Sequence, residues 1–584
     1  MKRILLLSFM CIWLSTLCAA QSDLESFYNA VYAMDHLDAK DYAAGVKLMI
    51  RMGKLIPAYH EESGSYTASP EDLEKGYTVF TRSISEDIYP NTIPGPADLG
   101  NSITLFGTNG EYTSAAICVL PHNDLNDISV EVSDLAGPNG KIPAENISAR
   151  YAKYEYFSAG LQWVLKARYL FKGPAKGMRN APRPFWLTLK IPAEAAPGIY
   201  RGTVLVSAGK KQTKLPVTLE ITPIMLCKPH DDNIVWMWYY GGYPKNQELE
   251  KVMLDMREHG MTSFCSGNPF PFSYSNGKVS VDFSTAERVV PLLEKHGFTS
   301  WMSSYYKDQF QIMLAAGGTP WNDAHKKALK DYSKIVADMI KKQNWPKHIF
   351  MIEEPREDNE LDNIRSWNDT YNALNIMTGE GLCMNVTWTG AGIADGKRKD
   401  NPSIICDYRD LFQYSFYNSA NTFSPKVIDK IHSLKKPLLI TSNKETRYFG
   451  VTAWQKGAAG FGSYVWCGSE YGNITVHGAS ESDPVSSKNG PVETISWEGI
   501  REGILFFRYL KTLEEAVSKC AKPDSSEAAA ARSLLAEVRS YVFNKGVAEA
   551  VNIDSATLGR FRADKLDEFR YRAALRIIDL QKIK

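Results

Sequence analysis

From about Pro229 onward, short apolar runs alternate with amphipathic runs at intervals of about thirty residues, and this spacing restricts the possible folds more than any other feature of the chain. Runs of four to six β-branched and aromatic residues suit buried strands, and the longer runs between them suit helices packed against those strands. The strands are predicted at Ile234 to Tyr239, Thr262 to Cys265, Thr299 to Ser303, His348 to Ile352, Leu382 to Val386, Ile404 to Asp407, Pro437 to Thr441 and Gly462 to Trp466. Helices are expected at Gln247 to His259, Thr285 to His296, Asp323 to Lys342, Pro425 to Ser433 and Trp497 to Lys519. Eight such units in about 290 residues predict a (β/α)8 TIM barrel over 229–520.

The remainder of the 584 residues has a different texture. Between residues 76 and 228, alternating runs such as Ile128-Ser129-Val130-Glu131-Val132 and Gly202-Thr203-Val204-Leu205-Val206 are broken by Pro and Gly, which predicts an antiparallel β-sandwich. Residues 21–75 read as helical, with Leu24, Phe27, Val31 and Met34 at helical spacing and Tyr42, Val46, Met49 and Met52 repeating it. Residues 521–584, rich in Ala, Glu, Arg and Leu, read as helices packed on the barrel. The expected fold class is multidomain β plus α/β: a sandwich, then a barrel, then C-terminal helices.

Residues 1–20 have a basic start at Lys2-Arg3, an apolar stretch from Ile4 to Leu17 and Cys18-Ala19-Ala20 before Gln21, the layout of a secretory signal peptide. Secretion or periplasmic export is the expectation. Lipoprotein anchoring at Cys18 is disfavoured by the bulk of Leu17. Without the leader, 65 basic residues face 66 acidic ones, which argues against a nucleic-acid partner. No later run is long and apolar enough to span a bilayer. Seven cysteines remain after the leader, scattered without CxxC spacing, so neither a zinc site nor a full disulfide framework is expected.

The fourth predicted strand ends in Glu353-Glu354-Pro355. The carboxyl ends of barrel strands are where such folds keep their chemistry, and acids are rarely placed there for stability. Side chains alternate along a strand, so both acids reach one site only if the strand breaks, and Pro355 is consistent with such a break. Other strand ends supply Trp236, Trp238, Tyr305, Asn385, Trp388, Asp407, Tyr408 and Trp466 as candidate substrate-binding residues, rings for the apolar faces of a sugar and polar groups for its hydroxyls. About half of these aromatics are expected to be barrel core instead.

Glycoside hydrolysis needs a proton donor to the leaving oxygen and a group that stabilises positive charge at the anomeric carbon. Glu354 fits the donor. The second role has two candidates: Glu353, suited to a reaction in which the sugar's own 2-acetamido oxygen attacks, and Glu445 beyond strand seven, suited to a retaining reaction with an enzymic nucleophile. The histidines show no paired metal-ligand spacing, no GxSxG elbow occurs, and no metal or organic cofactor is implied.

Several stretches resemble glycoside hydrolase family 123, a group of secreted β-N-acetylgalactosaminidases and their relatives. They are Gly110-Glu111-Tyr112, the run Phe185-Trp186-Leu187-Thr188-Leu189-Lys190-Ile191-Pro192, the run Ala196-Pro197-Gly198-Ile199-Tyr200-Arg201-Gly202-Thr203, and Ser496-Trp497-Glu498-Gly499-Ile500-Arg501-Glu502-Gly503-Ile504. The resemblance spans about residues 80–520. It implies a terminal β-linked N-acetylhexosamine as substrate and substrate-assisted retaining catalysis, with Glu354 as acid/base and Glu353 orienting the acetamido group. Three positions depart from the family pattern: Glu353 stands where Asp is usual, Ser496 where Arg is usual and Phe506 where Asp is usual. Two rival readings stand beside it. Glu-Pro with Glu445 downstream also resembles the strand-four and strand-seven pair of ordinary retaining barrel glycosidases, which gives a retaining glycosidase using Glu354 and Glu445 on a sugar without an acetamido group. The three departures give an impaired barrel that only binds glycans.

Overall fold

The computed structural model describes residues 23–38, 40–53, 55–60, 65–100, 102–159, 162–228, 235–239, 246–303, 323–350, 382–384, 388–389, 415–418, 428–429, 432–433, 438–441, 447–463, 491–541 and 565–583. A helical hairpin opens the described chain, α1 over 23–35 and α2 over Lys40–Arg51, and a short helix, α3 (Pro70–Lys75), follows it. Two sheets follow. The first contains β1 (Pro57–Ala58), β2 (Tyr77–Arg82), β4 (Tyr112–Pro121), β8 (Ile147–Ala159), β9 (Gln162–Phe171) and β11 (Arg183–Lys190), in the order β1-β9-β8-β11-β4-β2. The second has the order β10-β5-β12-β13-β3, with β3 at Ile103–Gly107, β5 at Leu125–Val132, β10 at Ala175–Gly177, β12 at Gly198–Ala208 and β13 at Lys211–Ile221; a small pair, β6 (Leu135–Gly137) and β7 (Gly140–Ile142), attaches to β12.

Strand periodicity explains how these layers pack. The odd-numbered Phe185, Leu187 and Leu189 of β11 join Ile117 and Val119 of β4 in one apolar cluster with Val204, Val206, Val217 and Leu219 of the second sheet. The even-numbered Trp186 and Cys118 point the other way, into a cluster with Tyr28, Val31 and Val46 of the hairpin. Covered on both faces, β11 can be apolar almost throughout. Asp35 at the end of α1 fixes the hairpin by pairing with buried Arg183, at 2.6 Å and 3.0 Å. Most pairings here are antiparallel as expected, but β13 with β3 and β1 with β9 run parallel, which the expectation of a purely antiparallel sheet pair missed.

The third sheet is wholly parallel. Its members are β14 (Val235–Tyr239), β15 (Ser263–Ser266), β18 (Ser300–Ser303), β19 (Lys347–Phe350), β20 (Leu382–Met384), β21 (Trp388–Thr389), β22 (Ser415–Asn418), β23 (Leu438–Thr441) and β24 (Gly460–Ser463), ordered β20-β19-β18-β15-β14-β24-β23-β22-β21. A hairpin of β16 (Phe272–Ser275) and β17 (Lys278–Val281) turns on Asn276 and Gly277, both at positive φ, as an Asn-Gly turn requires. Helices α4 (Asn246–Glu258), α5 (Ser284–Lys295), α6 (Asp323–Gln343), α7 (Phe449–Gln455) and α8 (Ile495–Ser518) alternate with or follow these strands, and α9 (Ser526–Ser540) and α10 (Lys565–Lys582) share α8's apolar cluster. Thr494 caps α8 by accepting from the Trp497 amide at 2.9 Å, and Ser525 caps α9 from Ala528 at 3.1 Å.

Between β21 and β23 the sheet carries Ser415–Asn418, a strand absent from the sequence prediction, while the predicted run Ile404 to Asp407 lies outside the described residues. The half-polar Ser-Phe-Tyr-Asn run gave a weaker apolar signal than Ile404-Ile405. Strand eight starts two residues earlier than predicted, at Gly460, because Gly460 and Gly462 dilute the apolar run.

The seam between the first two sheets and the helical layer is ionic and buried. The Glu498 carboxylate accepts from Thr188 Oγ1 at 3.0 Å, Arg501 Nη1 at 3.1 Å and Trp186 Nε1 at 3.2 Å, and pairs with Arg150 at 3.0 Å. Burial pushes its pKa up, but Arg501 and Arg150 outweigh that and hold it well below the ordinary carboxylate range. Arg501 also lies over the Tyr112 ring at 4.3 Å, while Trp497 donates to Asp255 at 3.1 Å. Nearby, Glu111 accepts from Tyr509 Oη at 3.1 Å and pairs with Arg508 at 3.5 Å. At Gly450 a Cβ would sit 1.8 Å from the Gly503 carbonyl oxygen, so α7 and α8 touch through backbone.

Candidate active site

Because every pairing in the third sheet is parallel, all its strands present their carboxyl ends on one side. The register aligns Tyr239, Cys265, Met302, Ile349 and Cys383 in one row across five neighbouring strands. Trp236, Phe264 and Trp301 alternate with that row and belong to the cluster shared with the helices. Met237, Cys265, Met302 and Leu439 are buried and lie outside that cluster, on the opposite face of the sheet.

Within this frame the described part of β19 ends at Phe350, three residues before Glu353 and four before Glu354 in the sequence. The described part of β23 ends at Thr441, four residues before Glu445. That of β20 ends at Met384, immediately before Asn385, and that of β24 at Ser463, three residues before Trp466. The topology thus brings the strands that lead into these positions together. Glu353, Glu354, Glu445, Tyr305, Asn385, Asp407, Tyr408 and Trp466 themselves lie outside the described residues. Trp238 and Trp388 are placed by backbone: Trp238 is in register with Phe264 and Ser463, and Trp388 with Phe416.

One expectation needs correction. Trp236 is 1% exposed, wedged edge-on against Phe449 and Phe507 of the helical layer with centroids at 5.5 Å and 4.9 Å, so it is packing and not a sugar platform.

The described residue with the most pronounced chemistry near this end of the sheet is His348, which sequence reasoning passed over. It is fully buried in β19 beside Trp301 and Phe270, both at 5.0 Å, and its Nε2 lies 3.1 Å from Ser303 Oγ. Burial pushes its pKa well below the ordinary value, so it is a neutral imidazole. It shares parity with the helix-facing residues and ties β19 to β18 through Ser303. Among the described residues no group of three His, Cys, Asp or Glu side chains could hold a metal ion, and no helix is long and apolar enough to cross a membrane.

No family model and no curated protein sequence matches the chain. Solved structures do. A family 123 glycoside hydrolase from Clostridium perfringens, solved in a study of glycolipid glycan hydrolysis, superposes with a TM-score of 0.64 at 13% identity, covering 87% of this chain and 99% of that one. An endo-β-1,4-mannanase from Thermotoga petrophila covers 47% of this chain and 76% of that one at 11% identity, and its TM-score of 0.33 is too low to carry an argument. A GH10 xylanase with a bacterial Ig-like domain from termite gut covers 56% and 90%, with a TM-score of 0.32 at 11% identity, and carries no more. The chain therefore has a β plus α/β fold like that of a family 123 glycoside hydrolase.

Proposed function

We propose that the chain is a glycoside hydrolase that removes a terminal β-linked N-acetylhexosamine, resembling N-acetylgalactosamine, by substrate-assisted retaining catalysis, and that residues 1–20 direct its export. The observation that carries this reading is the place of Glu353-Glu354-Pro355 in the sequence, directly after the described part of the fourth parallel strand in a fold like that of family 123. In this reading the first two sheets form a β-sandwich and the third closes into a barrel. The edge strands β20 and β21 support closure: Met384 and Trp388 are four Cα steps apart, at most about 15 Å. In this reading they are two parts of a fifth strand, and the sheet has eight.

Glu354 would protonate the glycosidic oxygen and later deprotonate the attacking water, while Glu353 steadies the acetamido N–H as its oxygen closes on the anomeric carbon. Carried on past Phe350, the alternation of β19 would give Glu353 the parity of Ile349, which is in register with Met302, and Glu354 would join it only through a strand break before Pro355. The longer Glu353 reaches about one methylene further than Asp and requires a pocket set back to match.

A screen of aryl glycosides against wild type and Glu354→Gln tests the proposal. Cleavage of an aryl β-N-acetylhexosaminide, lost in Glu354→Gln and inhibited by a thiazoline mimic of the cyclic intermediate, supports it. Labelling of Glu445 by a 2-fluoro glycoside moves the nucleophile to Glu445. Glycan binding with no cleavage of any aryl glycoside removes the enzymatic reading.

A further inference from the structure

Exposed apolar side chains gather on the N-terminal hairpin. Leu37, Leu48, Met52 and Ile56 are each 49% to 57% exposed, four of the eight large apolar side chains exposed among the described residues. Packing of α2 does not require them. Its inner face, with Ala43, Val46, Met49 and Ile50, joins the cluster shared with Cys118 and Trp186 of the first sheet, so the helix is already anchored. On the outer face Leu48 and Met52 stand one turn apart, and Lys40, Lys47 and Arg51 stand beside them, all exposed.

The chemistry of this face restricts what could cover it. Lys40, Lys47 and Arg51 form no ion pair among the described residues, whereas the hairpin's acids Asp35 and Asp38 are held by Arg183 and Lys153. A second copy of the chain, seated on the patch by two-fold symmetry, would set cation against cation. An anionic membrane surface offers negative headgroups directly above an acyl layer, which suits long cationic side chains beside apolar ones on one helix face. The place of the leader points the same way. A hairpin sets the start of α1 beside the end of α2, so residue 23 enters at the end that carries Arg51 and Met52. The leader's apolar run ends at Leu17, six residues earlier, a span of at most about 22 Å.

We propose that the outer face of α2 docks the exported chain on an anionic membrane surface, with Leu48 and Met52 among the acyl chains and Lys40, Lys47 and Arg51 against the headgroups. The proposal rests on the reading of residues 1–20 as an export leader and is separate from the hydrolytic one. The test floats the chain without its leader, the form that export leaves, on vesicles of phosphatidylcholine alone or mixed with phosphatidylglycerol. Binding is expected on the mixed vesicles only, and should fall about tenfold at about 1 M salt, where the screening length is roughly 3 Å. Leu48→Ser with Met52→Ser should lose most of it and keep the wild-type thermal melt, since both side chains are exposed. Lys47→Glu with Arg51→Glu should lose it at low salt. Equal flotation of wild type and the folded variants, or binding to neither vesicle, overturns the proposal. Capture by polyglutamate and not by vesicles overturns it in favour of an acidic protein partner. The vesicles need no export, and cleavage after Ala20 is read separately from the intact mass of the cell-derived chain, so failures of docking and of export are told apart.

Discussion

Replacing Glu498 with alanine should cost more stability than any other single change at the seam. Its carboxylate is fully buried and is the shared acceptor for Arg150, Arg501, Trp186 and Thr188, all between 3.0 and 3.2 Å. The two arginines are only 5% and 6% exposed, so the variant leaves two buried cations short of their counter-ion and two donors without an acceptor. Breaking one buried pair costs about 3–5 kcal/mol. Arg501 keeps the Glu258 carbonyl at 3.0 Å, and Arg150 keeps its contact with Glu493, so the loss should stay within that range and not double it. The assay is equilibrium urea unfolding at neutral pH, followed by tryptophan fluorescence and far-ultraviolet circular dichroism. Two probes are needed because loss of the seam should let the two-sheet region and the helical region unfold separately, splitting their midpoints. Glu498→Gln should lose nearly as much, since its amide nitrogen would meet a guanidinium. The folded pKa of Glu498 is depressed, so its contribution is present above the unfolded carboxylate value and fades as pH falls towards the folded one. A loss below about 1 kcal/mol with coincident midpoints would refute the argument that this network joins the two regions.

Glu111 should behave in the opposite sense. Burial outweighs Arg508 and Arg570 and raises its pKa to about 7, so the folded state holds the proton more tightly and stability falls by about 3 kcal/mol as pH rises from about 4.5 through 7. Glu111→Gln should flatten that part of the stability profile, and parallel profiles for wild type and variant would contradict the assignment. Gly450→Ala should destabilise by more than the usual 1–3 kcal/mol of overpacking, because the new methyl meets the Gly503 carbonyl, whereas Gly209→Ala, at φ +59° with nothing nearby, should cost only about 1 kcal/mol. Asp35→Ala should free the helical hairpin from the first sheet by leaving buried Arg183 unpaired, read as faster proteolysis within 23–51.

Much of this arrangement is legible in the sequence because burial writes a period into it. Helix α4 is predicted from Gln247 to His259 and found over Asn246–Glu258, and β18 is predicted from Thr299 and found from Ser300. Where the period is short or diluted the reading fails, as at the four half-polar residues of β22 and the glycines of β24. Trp236 illustrates another limit. A tryptophan on a barrel strand can face sugar or core, and only its contacts with Phe449 and Phe507, more than two hundred residues away, decide which. The seam was invisible for the same reason, since Arg150, Asp255, His259 and Glu498 come from three separated segments.

The contacts also separate two kinds of evidence that look alike in the sequence. The motif residues that carry the family resemblance converge in space: Trp186 and Thr188 of the Phe185 run bind Glu498 of the α8 run, whose Arg501 covers Tyr112 of the Gly110 run. They hold one region against another, so what they establish is the architecture. Phe506, where the family pattern has Asp, is 2% exposed within the apolar cluster, a departure the packing absorbs without reference to any substrate. The proposed reaction rests on different residues, Glu353 and Glu354, which follow β19 in the sequence. A chain could keep the seam intact and still have changed its chemistry. In the proposed reaction the longer Glu353 is therefore the position where substrate specificity should be sought first, and replacing it with the shorter Asp leaves every residue of the seam in place.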